Sequence, residues 1–137
     1  MLVTVDALVF LKDQLHPTPE ILLIQRKNDP FKGDYALPGG FPEMDELLEF
    51  AASRELFEET GLSGIMLTQL AAFDKIGRDP RDRNICIAYY GFTTSENAQV
   101  SGGDDAVVAE WFKIDNLPPL AFDHEEIIDY ARKQLGL

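Results

Sequence analysis

The stretch Gly40–Leu62, GFPEMDELLEFAASRELFEETGL, decides how this chain is read. A glycine- and proline-marked lead-in gives way to a run of helix formers, and Gly61 supplies a stop. The spacing predicts a helix from about Asp45 to Thr60. Asp45 is the expected N-cap, and Glu46 and Glu49 suit the positive end of the helix dipole. At roughly 100° per residue, Glu55, Glu58 and Glu59 fall within about 100° of arc on one face. Like charges so placed repel one another. Two readings follow. The face is solvated acid, the usual state of a charge run. Alternatively it holds a hard divalent cation, Mg²⁺ or Mn²⁺, which takes oxygen ligands and keeps waters for a substrate's phosphates. Arg54 is the one basic residue of the helix and is placed to pair with Glu46 across the loop–helix junction.

The stretch carries more than charge. Gly40, Glu46, Arg54, Glu55, Leu56, Glu58, Glu59, Gly61 and Leu62 stand in register with G-x5-E-x7-R-E-U-x-E-E-x-G-U, where U is bulky and aliphatic. That is the signature of the Nudix hydrolases, and no fixed position departs from it. The segments LLIQR and GDYALPGG before it, and AEWFKIDNLP after it, resemble the same family, with Tyr35 where many relatives carry Trp. The resemblance implies a metal-assisted attack of water on a nucleoside diphosphate linked to another moiety. It implies Glu55 and Glu59 as leading metal ligands, Glu58 as ligand or base, the Gly40 carbonyl completing the site, and Arg54 and Glu46 in its catalytic support. Metals there neutralise phosphate charge, position the water and lower its pKa.

Around this stretch the chain reads as one domain, residues 1–137, of class α/β (α+β). Residues 2–11 and 20–26 are strand-like, joined by a turn in HPTPE, and 28–43 is a loop. Residues 65–75, 84–93 and 107–114 read as strands, and 122–135 as a helix with Ile127, Ile128, Ala131 and Leu135 at helical spacing. The order β-β-loop-α-β-β-β-α predicts a mixed sheet with a helix on each face, and the resemblance implies the Nudix α/β/α sandwich.

Composition narrows the function classes. The 137 residues carry 12 Lys and Arg against 24 Asp and Glu, a net charge of −12. Such a surface repels nucleic acid and anionic membrane, so neither is an expected partner. A phosphate compound then needs a metal or a local basic cluster. No apolar stretch approaches the roughly 20 residues of a membrane span, and no signal peptide is read. Cys86, the single cysteine, allows no internal disulfide and is expected to be a small buried hydrophobe. The cytoplasm is the expected location.

Residues 72–84, AFDKIGRDPRDRN, supply the basic cluster: Lys75, Arg78, Arg81 and Arg83. Arginine suits bidentate contacts with phosphate or carboxylate. The competing reading is a hairpin loop whose arginines pair with Asp74, Asp79 and Asp82. The order GRDPRDR resembles a segment of ADP-ribose pyrophosphatases and of ADP-ribose-sensing regulators, and LAFDHEEII, residues 120–128, resembles another. The resemblance thus implies an ADP-ribose-like nucleotide as small-molecule substrate, cut to AMP and ribose 5-phosphate, with Arg78, Arg81 and Arg83 in its binding, and a homodimer. The alternatives are a modified nucleoside triphosphate, an NDP-sugar, or sensing without cleavage. The intact box, and the absence of a basic winged-helix segment such as the regulators carry, favour an enzyme.

Asp104 and Asp105 are turn-forming after Gly102-Gly103 or, by the resemblance, supply an acidic loop residue at the substrate; Glu110 is a lesser candidate. His124 is expected in a capping or dimer role rather than in acid–base work. Trp111 and Phe112 are expected to alternate across a strand.

Overall fold

The computed structural model describes residues 1–103 and 106–137. Strands β1 (Leu2–Asp13) and β2 (His16–Arg26) form an antiparallel hairpin. Its turn is Gln14-Leu15, not HPTPE. Asp13 organises it: its Oδ1 accepts the Leu15 N–H at 3.0 Å and lies 2.8 Å from His16 Nδ1. Pro17 and Pro19 fall inside β2, beside a register shift between Leu11 and Asp13, where missing amide donors are tolerated.

The expected loop 28–43 contains two two-residue strands, β3 (Tyr35–Ala36) and β4 (Gly39–Gly40). Helix α1 spans Leu48–Thr60, three residues shorter at its start than predicted, and its N-cap is Leu47 rather than Asp45. The cause is Glu46. Its carboxylate takes the Glu43 N–H and two Arg54 donors, and its own N–H bonds to Glu43 O, so Glu43–Glu46 closes as a turn before the helix begins. Gly61 ends the helix in the left-handed conformation (φ 76°), as its sequence position predicted.

Strands β5 (Thr68–Phe73), β6 (Asn84–Thr93) and β7 (Ala106–Lys113) and helix α2 (His124–Leu135) complete the order. The sheet runs β3-β2-β1-β6-β5, with β7 on β2 and β4 on β1; β1 is parallel to β6 and antiparallel to β2.

Alternation along β1 assigns the two layers. Val5, Ala7 and Val9 are fully buried on the side of α1, whose Ala51, Ala52 and Leu56 join the clusters there. Leu8 and Phe10 face α2, where Ile127, Ile128 and Ala131 pack with Ile21, Leu23, Cys86 and Ala88. The predicted sandwich with a helix on each face is what forms. Trp111 and Phe112 alternate as expected, one against each cluster. Asp6 keeps phase with Leu8 and Phe10, so it is buried on the α2 side, beneath the start of that helix. Among the described residues no helix is long and apolar enough to cross a membrane.

Candidate active site

A cleft of about 490 Å³ opens where β1, β4, α1, the 75–83 loop and the N-terminus of α2 converge. One wall is α1. Glu55, Glu58 and Glu59 line it together with Gly39, Gly40 and Arg54. The one-face geometry predicted from spacing therefore faces a cavity rather than bulk solvent alone.

Arg54 organises this wall. Its Nε donates to Glu46 Oε2 (2.7 Å) and its Nη2 to Glu46 Oε1 (2.8 Å) and Phe41 O (3.1 Å). Its Nη1 donates to Glu55 Oε1 (3.0 Å) and Glu58 Oε2 (3.2 Å). One guanidinium thus joins the lead-in to two of the three helix carboxylates. The Arg54 hydrogen bonds hold the Glu46 carboxyl down to about 2. Glu59 is buried, and its Oε1 accepts the Gly39 N–H at 2.7 Å.

Gly39 and Gly40 have reasons in contact rather than in φ. A Cβ on Gly40 would stand 2.6 Å from Glu55 Cδ and under 3 Å from both carboxylate oxygens. A Cβ on Gly39 would stand 2.2 Å from the backbone oxygen of Val5 and 2.1 Å from Asp6 Oδ1, both deep inside van der Waals contact. The backbone is pressed between two carboxylates, one on α1 and one on β1.

The donor set, three carboxylates and a backbone approach that only glycine allows, is all hard oxygen and fits a divalent cation of the Mg²⁺ class. The carboxylates are not drawn into one coordination shell here. Arg54 holds Glu55 and Glu58, the Gly39 amide holds Glu59, and among the described residues no three acidic, His or Cys side chains converge on one point.

The opposite wall holds Thr4, Asp6, Arg78, Asp79, Arg81, Asn84, Phe122 and His124. The three predicted arginines part company here. Arg78 is buried and forms a two-point pair with Asp123, Nε to Oδ2 at 3.0 Å and Nη2 to Oδ1 at 2.7 Å. Arg81 grips Asp79 through Nε (3.0 Å) and Nη2 (2.8 Å), with its side chain 45% exposed. Arg83 is turned to the Asp74 carbonyl (2.8 Å) and is not among the residues lining the cleft. Both sequence readings of the loop thus contribute: Arg81 and Arg83 pair with the loop's own Asp79 and Asp74, while Arg78 pairs outside it, and Arg78 and Arg81 line the cavity. Burial opposes charge on Asp79, but the Arg81 and Asn84 hydrogen bonds prevail and hold it at about 2.

His124 sits at the start of α2, where sequence reading put it, but its contacts are internal. The Leu37 N–H donates to its Nδ1 at 3.0 Å, which places the ring proton on Nε2, 3.3 Å from Asp6 Oδ2. Cys86 is buried as expected, yet it is more than a hydrophobe. Its thiol donates to Asp6 Oδ2 at 2.9 Å, and burial pushes its pKa up. Asp104 and Asp105 lie outside the described residues. Glu110 accepts the Tyr35 O–H at 3.2 Å.

Sequence reading missed Asp6, Arg26 and Phe122. Phe122 has a left-handed backbone (φ 54°) and packs on Phe31 (φ 62°), the one other described non-glycine residue in that conformation. Arg26 and Arg81 lie 5.0 and 5.7 Å from its ring centre. The one local signal was a charged residue, Asp6, inside an apolar strand.

The NUDIX domain family model matches residues 2–131 of the chain. The ADP-ribose pyrophosphatase of Methanocaldococcus jannaschii is 48% identical over 118 residues, which are 85% of this chain and 69% of that protein. The NUDIX domain of Shewanella oneidensis NrtR, solved with ADP ribose, superposes with a TM-score of 0.89 at 31% identity, over 98% of this chain and 88% of that one. A bifunctional NMN adenylyltransferase/ADP ribose pyrophosphatase from Francisella tularensis, solved with AMP and a manganese ion, gives 0.81 at 34% identity, over 97% of this chain and 41% of its own.

Proposed function

The chain belongs to the Nudix domain family, and on that premise we propose that it is a divalent-metal-dependent hydrolase that cuts ADP-ribose to AMP and ribose 5-phosphate. The observation that carries this is the α1 carboxylate face lining a cleft, with Gly40 pressed against Glu55. The 48% identity to an ADP-ribose pyrophosphatase supports the substrate.

In this reading Glu55, Glu59 and Glu58 with the Gly40 carbonyl would hold Mg²⁺ or Mn²⁺, which neutralises diphosphate charge and acidifies a water. Glu58 is the more open of the two helix carboxylates on Arg54, its side chain 38% exposed against 16% for Glu55. It has room for the attacking water and takes its proton as the oxygen bonds to phosphorus and the bridging oxygen departs. Arg54 limits the repulsion among the carboxylates and, through Glu46, fixes the lead-in that carries Gly40. Arg81, half-exposed at the rim, meets the substrate's anionic part, with Arg78 behind it; Arg83, held at the Asp74 carbonyl outside the cleft lining, drops out of that role, and an acidic substrate contact is assigned to Asp104 or Asp105 on the resemblance alone.

The same reading includes a homodimer in the cytoplasm. Support for the dimer is the exposure of Phe50 and Phe57 on α1 and of Leu47 and Met44 just before it. A second reading, binding of ADP-ribose without cleavage, has the likeness to NrtR in its favour.

Incubating the protein with Mg²⁺ and ADP-ribose, NADH, diadenosine polyphosphates, NDP-sugars and nucleoside triphosphates, then separating products, tests this. AMP from ADP-ribose at a kcat/KM well above the rest is expected. Turnover of another compound discards the substrate. No turnover, with ADP-ribose still raising Tm, selects the sensor.

A further inference from the structure

Asp6 is a carboxylate only 6% exposed, on a strand otherwise given to core packing, and it lines the cleft. Its Oδ2 is occupied by the Cys86 thiol and by His124 Nε2. Burial opposes its charge, but these two partners and the nearby Arg78 guanidinium prevail and keep the carboxyl below its ordinary range. It therefore presents acceptor oxygens and no proton. Its Oδ1 makes no hydrogen bond to a described residue. That oxygen is not sealed off either, because among the described residues no buried side-chain oxygen or nitrogen lacks a partner. The neighbouring polar groups of this wall are already engaged. Thr4 Oγ1 donates to Asn84 Oδ1, Asn84 Nδ2 donates to Asp79 Oδ2, and Asp79 receives three further bonds from Arg81.

The position of Oδ1 identifies what it meets. Gly39 separates it from Glu59: the Gly39 Cα faces Asp6 Oδ1, and its N–H goes to Glu59 Oε1. Asp6 is thus one backbone strand away from the carboxylates that take the diphosphate in the proposed reading, on which this inference rests. In a nucleoside diphosphate linked to a sugar, the group joined directly to each phosphate is a sugar, whose donors are hydroxyls. A fixed anion accepts from a hydroxyl strongly and repels a further phosphate.

We propose that Asp6 is a specificity-determining residue, whose open carboxylate oxygen accepts a hydrogen bond from a sugar hydroxyl of the substrate and turns away a phosphate in that place. His124 and Cys86 act through it as positioning residues, fixing the carboxylate from behind.

Calorimetric binding in metal-free buffer tests this with three ligands: ADP-ribose, ADP, and 2′,3′-dideoxyadenosine 5′-diphosphate. Wild type is expected to bind ADP-ribose about tenfold more tightly than the dideoxy ligand. Asp6→Asn keeps the shape and removes the charge, and is expected to erase most of that difference while leaving the dideoxy ligand unchanged. If ADP weakens along with ADP-ribose, the hydroxyl is that of the nucleoside; if ADP-ribose alone weakens, it belongs to the terminal sugar. Equal weakening of all three ligands, or a wild type with no preference for hydroxyls, overturns the proposal. The wild-type comparison stands even where the variant fails to fold. A hydroxyl preference without AMP release under Mg²⁺ refutes the hydrolase reading alone, and AMP release without the preference refutes this inference alone.

Discussion

Two adjacent glycines should fail in opposite ways. An alanine methyl at position 40 meets first the carboxylate end of Glu55, the nearest atom at 2.6 Å. That end belongs to a flexible side chain, partly buried beside Arg54, so it swings aside at a folding cost within about 1 kcal/mol, the range of changes that leave the core intact. The carboxylate that moves is a proposed metal ligand, so hydrolysis should drop by about 100-fold or more. At position 39 the methyl meets the Val5 carbonyl oxygen at 2.2 Å, in the backbone of the central strand. Backbone cannot swing, and β4 must part from β1. Overpacking of this kind costs about 1–3 kcal/mol or more, which for a domain of this size lowers Tm by roughly 3–10 °C. Thermal denaturation of Gly40→Ala and Gly39→Ala, with AMP release measured at 25 °C, separates the two. The reasoning is refuted if Gly40→Ala loses as much Tm as Gly39→Ala, or if it turns over substrate at the wild-type rate.

Three other expectations follow from the same geometry. Glu58→Gln and Glu59→Gln should fold normally and lose activity by orders of magnitude; near-full activity in either removes that residue from the metal site. Arg78→Ala strands the buried Asp123 carboxylate and should cost about 3–5 kcal/mol in chemical denaturation, whereas Arg83→Ala, on the surface, should change stability very little. Acid should weaken the fold through Glu46 and Asp79, both held at about 2. Their folded pKa lies below the unfolded value, so their stabilisation is complete above about pH 5 and is lost as pH falls toward 2. A Tm flat across that window would contradict both ion pairs.

What the sequence made legible was local. Arg54, Glu55, Glu58 and Glu59 lie within six positions of one another on α1, so helical spacing alone places them on one wall, and Glu46 lies close enough in sequence for its pairing with Arg54 to be read. The two-helix sandwich was readable because the apolar patterns of β1 and α2 are clean. The helix start was misread, since Asp45 has the composition of an N-cap while the position is decided by a competing use of Glu46. The second cleft wall was legible in Arg78 and Arg81, but its internal pairings were hidden for another reason. Asp6 meets Cys86 across 80 positions, Leu37 meets His124 across 87, and Arg78 meets Asp123 across 45. No periodicity encodes such meetings; they arise from strand order. Asp6 inside an apolar strand was the single residue out of place.

The cleft draws on the first strand, on the box near the middle of the chain, and on Phe122 and His124 at the start of the last helix. A ribosome makes these in that order. The box helix completes early, and its carboxylates are then present on the nascent chain, but the wall opposite them is incomplete until α2 has emerged and docked. The cleft is therefore closed only once α2 has docked, and a chain halted before that helix displays the α1 carboxylates on an open surface.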